Sequence, residues 1–291
     1  MTNDNPTGSP PDSALPDSPA PFAWQPVTPR GVAAFAQATL TRLLLVELIV
    51  ASLSAGVVVW FLAMAWFPTI RQAIQQLPQD GAIRNQQLSS SVTSATLSET
   101  RPFLLIVLDL EKQNNASATS DVLLEFHKQN FQICSLLGCV VVNYQKGWTV
   151  GFNRPKLAPW WGAWEPILLG LAALFVIVTL MMTWALLAAV YCGVVRLIGF
   201  FKDRDLNWRR SWLLASAALL PGALLMPLGI LGYGLGVVDL IRLLLLVPVH
   251  LVIAWPYLFI SPRFVPRLPE VAPPGVNPFA TSDNRPGASP P

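Results

Sequence analysis

The sequence predicts an all-α membrane bundle of four transmembrane helices, with a small extracytoplasmic α+β domain inserted between helices 1 and 2. Three observations support this fold class. The chain is 53% hydrophobic and only 12% charged, about half the charged fraction of a soluble domain. Its apolar residues form four long runs, and an apolar run of about 20 residues spans a bilayer as a helix. Tryptophan, arginine and lysine residues stand at the ends of these runs, as they do at membrane–water interfaces.

The composition between the runs divides the chain into segments. Both terminal segments are rich in proline and have little apolar surface to bury, which is typical of disordered tails. The predicted segments are a disordered cytoplasmic tail (1–30), a juxtamembrane segment with the first span (31–67), the external domain (68–160), the second span with an interfacial extension (161–201), a basic cytoplasmic loop (202–210), the hairpin of the third and fourth spans (211–260) and a second disordered cytoplasmic tail (261–291).

The first apolar run, Leu43–Phe67, follows Arg42 and has Trp60 and Trp66 near its far end. It is long enough to cross a bilayer with some tilt. The tripeptide at 63–65 resembles a signal-peptide cleavage site, but the polar tail before the run is too long and the run exceeds a signal-peptide core. We therefore expect a retained span.

The polar stretch after the first span is long enough for one small folded domain. Thr69–Leu77 predicts a helical stalk, which Pro78 ends. The stretch Val122–Ile133 changes its hydrophobic period along its length and is interpreted as one strand. Further strands are predicted at Phe103–Leu108, Cys139–Tyr144 and Trp148–Phe152, with shorter ones within Ala82–Leu97. These elements predict a small mixed or antiparallel sheet.

Three more runs complete the bundle. The second span, Pro166–Val195, follows three tryptophans between 160 and 164 and continues to Phe201 as an interfacial helix. The third and fourth spans, Ser211–Tyr233 and Val237–Ile260, are joined by a linker so short that they must form a tight antiparallel hairpin. The third span is rich in small residues, which let helices pack closely in lipid.

The charges of the short loops orient the spans, because lysine and arginine are retained on the cytoplasmic side. An even number of spans places both tails on one side, together with the basic loop. We therefore expect cytoplasmic N- and C-termini and an external domain, in a bacterial cytoplasmic (inner) membrane. The cations on the expected cytoplasmic side are Arg30, Arg42, Arg196, Lys202, Arg204, Arg209, Arg210, Arg263 and Arg267.

Cys134 and Cys139 lie within the external domain, where thiols can oxidise. We expect a structural disulfide, which closes a short loop and stabilises the domain by about 2 kcal/mol. Free thiols are the alternative. A redox C-x-x-C motif needs two intervening residues, and His127 alone does not complete a zinc site.

Four polar residues lie within or at the ends of the spans. Glu47 is interpreted as a carboxyl near the interface or hydrogen-bonded to another helix, with a proton or cation site as the alternative. His250 is interpreted as forming an interhelical hydrogen bond, with a proton relay or ligand contact as the alternative. Asp239 and Arg242 are three residues apart and can pair at the outer interface.

Catalysis needs a nucleophile with a base, paired carboxylates, or metal ligands in one pocket. The two histidines fall in different compartments, and the sequence has no phosphate-binding loop, zinc-protease motif or nucleophile elbow. The formal charge of +3 is too small to indicate nucleic-acid binding. The sequence therefore predicts a non-enzymatic protein with no catalytic residues, no cofactor and no metal.

The segment Leu77–Ile83 (LPQDGAI), the run Phe103–Asp109 and the three later spans follow one another in a familiar order. The arrangement, which covers residues 43–260, resembles uncharacterised bacterial inner-membrane proteins of the Yip1-like type. The resemblance implies one span, an external domain and a further helical bundle. It implies no established activity and no site residues, and it favours a non-enzymatic membrane protein.

We expect a scaffold, assembly or sensing component whose external domain binds a membrane or envelope protein. The lipid bilayer is the other expected partner, homo-oligomerisation is left open, and nucleic acid is excluded. The alternative is a small transporter or channel subunit, with Glu47 and His250 near its path.

Overall fold

The computed structural model describes residues 25–100, 102–111 and 120–267, so most of both predicted tails lies outside the described residues. The helices are α1 (Pro29–Phe35), α2 (Leu40–Phe61), α3 (Phe67–Gln76), α4 (Arg154–Phe201), α5 (Trp208–Gly234) and α6 (Leu240–Ile260), with a π-helical turn at Leu62–Trp66 and a 3-10 turn at Ser261–Phe264. The strands are β1 (Ala82–Arg84), β2 (Gln87–Ser89), β3 (Ser94–Thr100), β4 (Leu104–Asp109), β5 (Val122–Phe126), β6 (Asn130–Ser135), β7 (Gly138–Asn143) and β8 (Thr149–Val150).

Within the described chain, four helical stretches are long and apolar enough to cross a membrane. They coincide with the four apolar runs of the sequence, and the strands lie between the first and second of them. A helical bundle that carries a small α+β domain is therefore the architecture of this chain. The four stretches are Leu40–Gln76, Arg154–Phe201, Trp208–Gly234 and Leu240–Phe264.

Polar side chains determine where the long helices begin. The side chain of the residue before each helix accepts a hydrogen bond from the backbone N–H three residues further on. This bond satisfies a free donor of the first helical turn. In α4 the second helical residue is Pro155. Its missing N–H costs nothing there, because the N–H groups of a first helical turn have no partner within the helix. This helix therefore begins at Arg154, before the predicted end of the external domain at residue 160. The caps are Thr39, Asn153, Asn207 and Asp239.

The short helix α1 belongs to the folded bundle. Its residues 32–35 are buried, and it packs against α5 and the 3-10 turn. The Tyr257 hydroxyl donates to the Val27 carbonyl oxygen at 2.8 Å, and the Arg30 guanidinium lies 5.3 Å from the centre of the Phe264 ring. The folded chain therefore reaches into both predicted tails, before residue 30 and beyond residue 261.

The central helix of the bundle is α5. Most of its residues are buried, whereas α4 and α6 bury few. Its small residues at 215–218 are fully buried or nearly so and let neighbouring helices approach closely. A Cβ added to Gly222 would lie 2.1 Å from the carbonyl oxygen of His250. The backbones of α5 and α6 are therefore in direct contact at this point.

One end of the bundle gathers the α4–α5 connection, α1 and the chain that follows α6. Arg204 Nη1 donates to the Val265 carbonyl oxygen at 2.7 Å, and the Asp205 N–H donates to the Pro266 carbonyl oxygen at 3.1 Å. These contacts place the basic loop and both ends of the described chain on the same side, opposite the sheets.

The strands form two small sheets, one with the order β2-β1-β8 and one with the order β3-β4-β5-β6-β7. In the larger sheet β4 and β5 are parallel, and all other neighbours are antiparallel. The interpretation of Val122–Ile133 as one strand is wrong, because β5 ends at Phe126 and β6 begins at Asn130. The change of hydrophobic period in this stretch marks the turn between two strands.

The N-terminal ends of β4 and β5 face the helices. The ring of Phe103 lies 5.4 Å from that of Phe61 and 5.0 Å from that of Tyr233, and the Tyr233 hydroxyl donates to Asp121 Oδ2 at 2.7 Å. Because both strands start at these contacts, they run away from the ends of α2 and α5. The domain core forms where β4 packs against α3, around Leu77.

Candidate functional site

Strand β7 forms one edge of the five-stranded sheet and is exposed along its whole length. Its central residues Val140, Val141 and Val142 are 64%, 55% and 36% exposed. No described strand pairs with its outer side. The sequence from 130 to 145 carries no charged residue, so charge does not protect this edge from other strands.

The outer side of β7 presents backbone hydrogen-bonding groups that no described strand uses. Cys134 and Cys139 lie opposite each other with their Cα atoms 4.0 Å apart, which is the short spacing of a non-hydrogen-bonded antiparallel pair. The N–H and C=O groups of Cys139 therefore point away from β6. Because this direction alternates along a strand, those of Val141 and Asn143 do too. Three residues can bond to an incoming strand.

The opposite edge of the same sheet, β3, is protected. Its register shifts between Thr96 and Ser98, which interrupts the regular ladder, and Glu99 adds a charge. The helix α3 packs against it, where the Ser98 hydroxyl donates to Gln72 Oε1 at 3.1 Å. A bulge, a charge and a covering helix are the usual devices that keep an edge strand from pairing. In the described part of the chain β7 carries none of these three features, so β7 is the open edge of the sheet.

The predicted disulfide pair lies in the hairpin that carries this edge. The sulfur atoms of Cys134 and Cys139 are at bonding distance, and the two residues are directly opposite each other next to the β6–β7 turn. A covalent link at this position fixes the register of the hairpin. The remaining cysteine, Cys192, is buried in α4.

An open cavity of about 390 Å³ lies at the end of the domain remote from the helices. The sequence did not indicate it, because its residues come from three separate segments: the β1–β2 hairpin, the β5–β6 turn and the end of β7. Two of them, Asn85 and Gln86, have φ angles of 48° and 64°, an uncommon backbone conformation that costs energy for residues other than glycine. Amides donate and accept, so the cavity suits peptide groups or sugar hydroxyls. It is lined by Asn85, Gln86, Gln87, Gln129, Asn143 and Tyr144.

Tyr144 closes this cavity from the side of the core. It is buried, and its hydroxyl donates to the His127 carbonyl oxygen at 3.1 Å. Burial raises the pKa of Tyr144 above its ordinary value, because the phenolate would lose its hydration. The side chain therefore stays a neutral hydrogen-bond donor and acts as a structural wall.

A buried polar cluster lies at the far ends of β4 and β5. Gln132 Nε2 donates to Glu125 Oε2 at 2.6 Å, and His127 Nε2 lies 3.7 Å from the same oxygen. His127 Nδ1 lies 2.9 Å from the Asp109 carbonyl oxygen. These contacts satisfy the buried groups and tie the strands together. The described chain contains no group of three side chains that could hold a metal ion.

Among the polar residues of the spans, Glu47 is only 2% exposed. The Ser216 hydroxyl of α5 donates to Glu47 Oε1, so this hydrogen bond joins α2 to α5. His250 differs, because its Nδ1 is buried and has no hydrogen-bond partner among the described residues. Its backbone meets Gly222, six residues or about 9 Å along α5 from Ser216. Glu47 and His250 therefore contact α5 nearly two helical turns apart.

Asp239 and Arg242 interact at the start of α6. The Arg242 N–H donates to Asp239 Oδ1 at 2.7 Å, and Arg242 Nε lies 3.4 Å from Asp239 Oδ2. Both side chains are exposed, and exposed ion pairs contribute little to stability. The pair is a local cap of the helix and marks no binding site.

No protein-family model matches the chain, and neither a curated protein nor a solved structure matches it. The resemblance to Yip1-like proteins therefore stays a prediction. Of the features described above, the outer side of β7 has the clearest chemical consequence, because its backbone groups can pair with an added strand.

Proposed function

We propose that this protein is a non-enzymatic scaffold, assembly or sensing component of a bacterial cytoplasmic membrane. In this proposal four transmembrane helices anchor the chain, both termini are cytoplasmic, and the α+β domain is extracytoplasmic. The domain binds an extended segment of a membrane or envelope protein along β7. The observation that carries the proposal is the uncharged edge of the sheet at β7, which no described residue pairs with as a strand.

Strand addition to an open edge is an established mode of peptide recognition. Backbone hydrogen bonds supply the affinity, and side chains at alternate positions supply the specificity. The outward groups of Cys139, Val141 and Asn143 provide the backbone contacts, and exposed valines on both faces favour an apolar segment. A disulfide that holds the hairpin in register reduces the ordering cost of binding.

The orientation of the strands indicates that the bound segment belongs to another protein. If β7 paired antiparallel with β7 of a second copy, the two sheets would run in opposite directions. Because β4 and β5 run away from the helix ends, the second bundle would then be inverted. Two copies inserted in one membrane have the same orientation. Antiparallel pairing of β7 with β7 of a second copy is therefore incompatible with a shared membrane.

The proposal is tested with Val141→Pro, which removes one outward N–H and leaves the β6–β7 ladder intact, because proline is tolerated on the free side of an edge strand. Val141→Ala is the matched control, since it shortens the side chain and keeps the N–H. A photo-crosslinking amino acid at Val140, irradiated in intact cells, reports the neighbour of the edge. We expect one crosslinked partner peptide that V141A retains and V141P reduces by roughly tenfold, equivalent to about 1.4 kcal/mol.

Equal crosslinking of V141P and V141A would contradict strand addition. Crosslinks that join only copies of this chain would contradict the choice of partner. Mass spectrometry of the crosslinked peptide distinguishes these outcomes, because it identifies the residue that lay beside Val140.

A small transporter or channel subunit is the second candidate. It is favoured by the buried Nδ1 of His250, for which the described residues supply no partner, because an unsatisfied ionisable group within a span is typical of solute paths. A transporter needs no protein on β7, so the crosslinking experiment also separates the two functions.

A further inference from the structure

Among the described residues of the external domain, the turn between β6 and β7 contains the most exposed large apolar side chain. Leu136 and Leu137 are 58% and 82% exposed, and no charged residue lies nearby in the sequence. Two adjacent leucines at a turn are unusual, because turns are normally built from polar residues and glycine. The domain therefore presents an apolar tip that its own core does not cover.

The strand register places this tip at the end of the sheet that faces the helices. Ser135 of β6 pairs with Val122, the first residue of β5. The residue before Val122 is Asp121, which accepts a hydrogen bond from Tyr233 at the end of α5. The β6–β7 turn thus lies level with the outer end of the bundle. It is displaced sideways by two to three strand spacings, about 10–14 Å from β4.

The turn is held rigid at this position. The bonded pair Cys134 and Cys139 closes it, the Leu137 N–H donates to the Ser135 hydroxyl oxygen at 3.3 Å, and Gly138 adopts a φ of 119° that other residues rarely adopt. A closed turn keeps both leucine side chains on the outside. The opposite end of the sheet, at Gln129 and Asn143, is lined by amides instead.

We propose that Leu136 and Leu137 insert into the outer leaflet of the bilayer beside the helix bundle and bind phospholipid acyl chains near the headgroup boundary. The tip would then fix the tilt of the external domain, so that β7 stands upright on the membrane surface. The inference rests on the proposed transmembrane orientation. It adds a second membrane contact, distinct from the four helices.

The experiment uses the full-length protein in native membranes and in phosphatidylethanolamine–phosphatidylglycerol vesicles that contain a phospholipid with a diazirine on its acyl chain. After irradiation, lipid adducts are mapped by mass spectrometry. Phe175 on the exposed face of α4 is the positive control, with an exposure of 71%, and Gln86 at the remote end of the domain is the negative control. We expect the peptide with Leu136 and Leu137 to be labelled roughly tenfold above the Gln86 peptide, as for side chains at the acyl boundary.

The variant Leu137→Asn is expected to lower labelling of the tip severalfold while labelling at Phe175 stays unchanged. Labelling at Phe175 without labelling at the tip would overturn the lipid contact and leave the transmembrane proposal standing. Absence of labelling at both positions would overturn the transmembrane proposal itself. Labelling of the tip in vesicles but not in native membranes would also overturn the inference, because a protein would then cover the tip in the cell.

Discussion

At the residue scale, the local sequence predicts that Glu47 needs a hydrogen-bond partner but not which residue supplies it. Its place in an apolar run predicts a carboxyl that needs a partner, because a lone charge in lipid is costly. The partner, Ser216, follows 169 residues later, in a segment of small residues with no local sign of this role. Which residues of two helices meet depends on the relative height and rotation of the helices, and neither quantity is encoded in one apolar run.

Ser216→Ala is expected to destabilise the protein by about 1–3 kcal/mol, because the buried carboxyl of Glu47 loses its donor. Ser54→Ala is the matched control. The Ser54 hydroxyl is also buried, but it donates to the Val50 carbonyl oxygen of its own helix at 2.9 Å, a carbonyl that the helix already satisfies, so its loss should cost less than about 1 kcal/mol. Thermal unfolding of the purified protein in lipid nanodiscs measures both. Equal losses for the two variants would contradict the assignment of Ser216.

At the element scale, two strands with similar sequence patterns have opposite environments. The runs Phe103–Leu108 and Cys139–Val142 are both continuously apolar, which is the pattern of a buried strand. Every residue of β4 is buried, whereas every residue of β7 is exposed. The difference is in what covers each strand. β4 lies inside the sheet and packs against α3, whereas β7 is an edge strand and has no described strand on its outer side. The strands were predictable, but the open edge that forms the candidate site was not.

The contact between α5 and α6 depends on the absence of a side chain at Gly222. Gly222→Ala should destabilise the bundle by about 1–3 kcal/mol, the usual cost of overpacking, because the added Cβ would lie 2.1 Å from a backbone oxygen that cannot rotate away. Gly193→Ala on α4 is the control, since a Cβ there meets nothing within 4 Å and alanine favours the helix. Thermal unfolding of both variants should separate them by several degrees, and a stable G222A protein would show that the helices do not touch there.

At the scale of the whole molecule, hydropathy predicted the number of long apolar helices but not their arrangement. A bilayer requires about 20 apolar residues for each crossing, so the four runs could be counted without a structure. The central position of α5 follows instead from its small residues at 215–218, which pack where larger side chains cannot. The length of α4 was also not predicted. Its 48 residues extend about 72 Å, well beyond a bilayer core of about 30 Å.

The membrane orientation is the last property at this scale, and it depends on charge. The end of the bundle that gathers the loop 202–207 and the chain after α6 is crowded with cations. Burial, together with the nearby Arg263 and Arg204, lowers the pKa of Lys202. Such a cluster is stable beside anionic headgroups and is costly to move across the membrane. We therefore expect this end to be cytoplasmic and the sheets to be external.

Reporter fusions measure this orientation directly. A phosphatase that is active only outside the cytoplasm should be active when it is inserted at Lys146, in the turn after β7, and inactive at Asp205. A fluorescent reporter that folds only in the cytoplasm should give the reverse result. An insertion at Gly236, between α5 and α6, is the control and should behave like Lys146, because α5 separates it from Asp205. Activity of the same reporter at Lys146 and Asp205 would mean that α4 does not cross the membrane. The number of spans would then be odd, and the two termini would lie on opposite sides of the membrane.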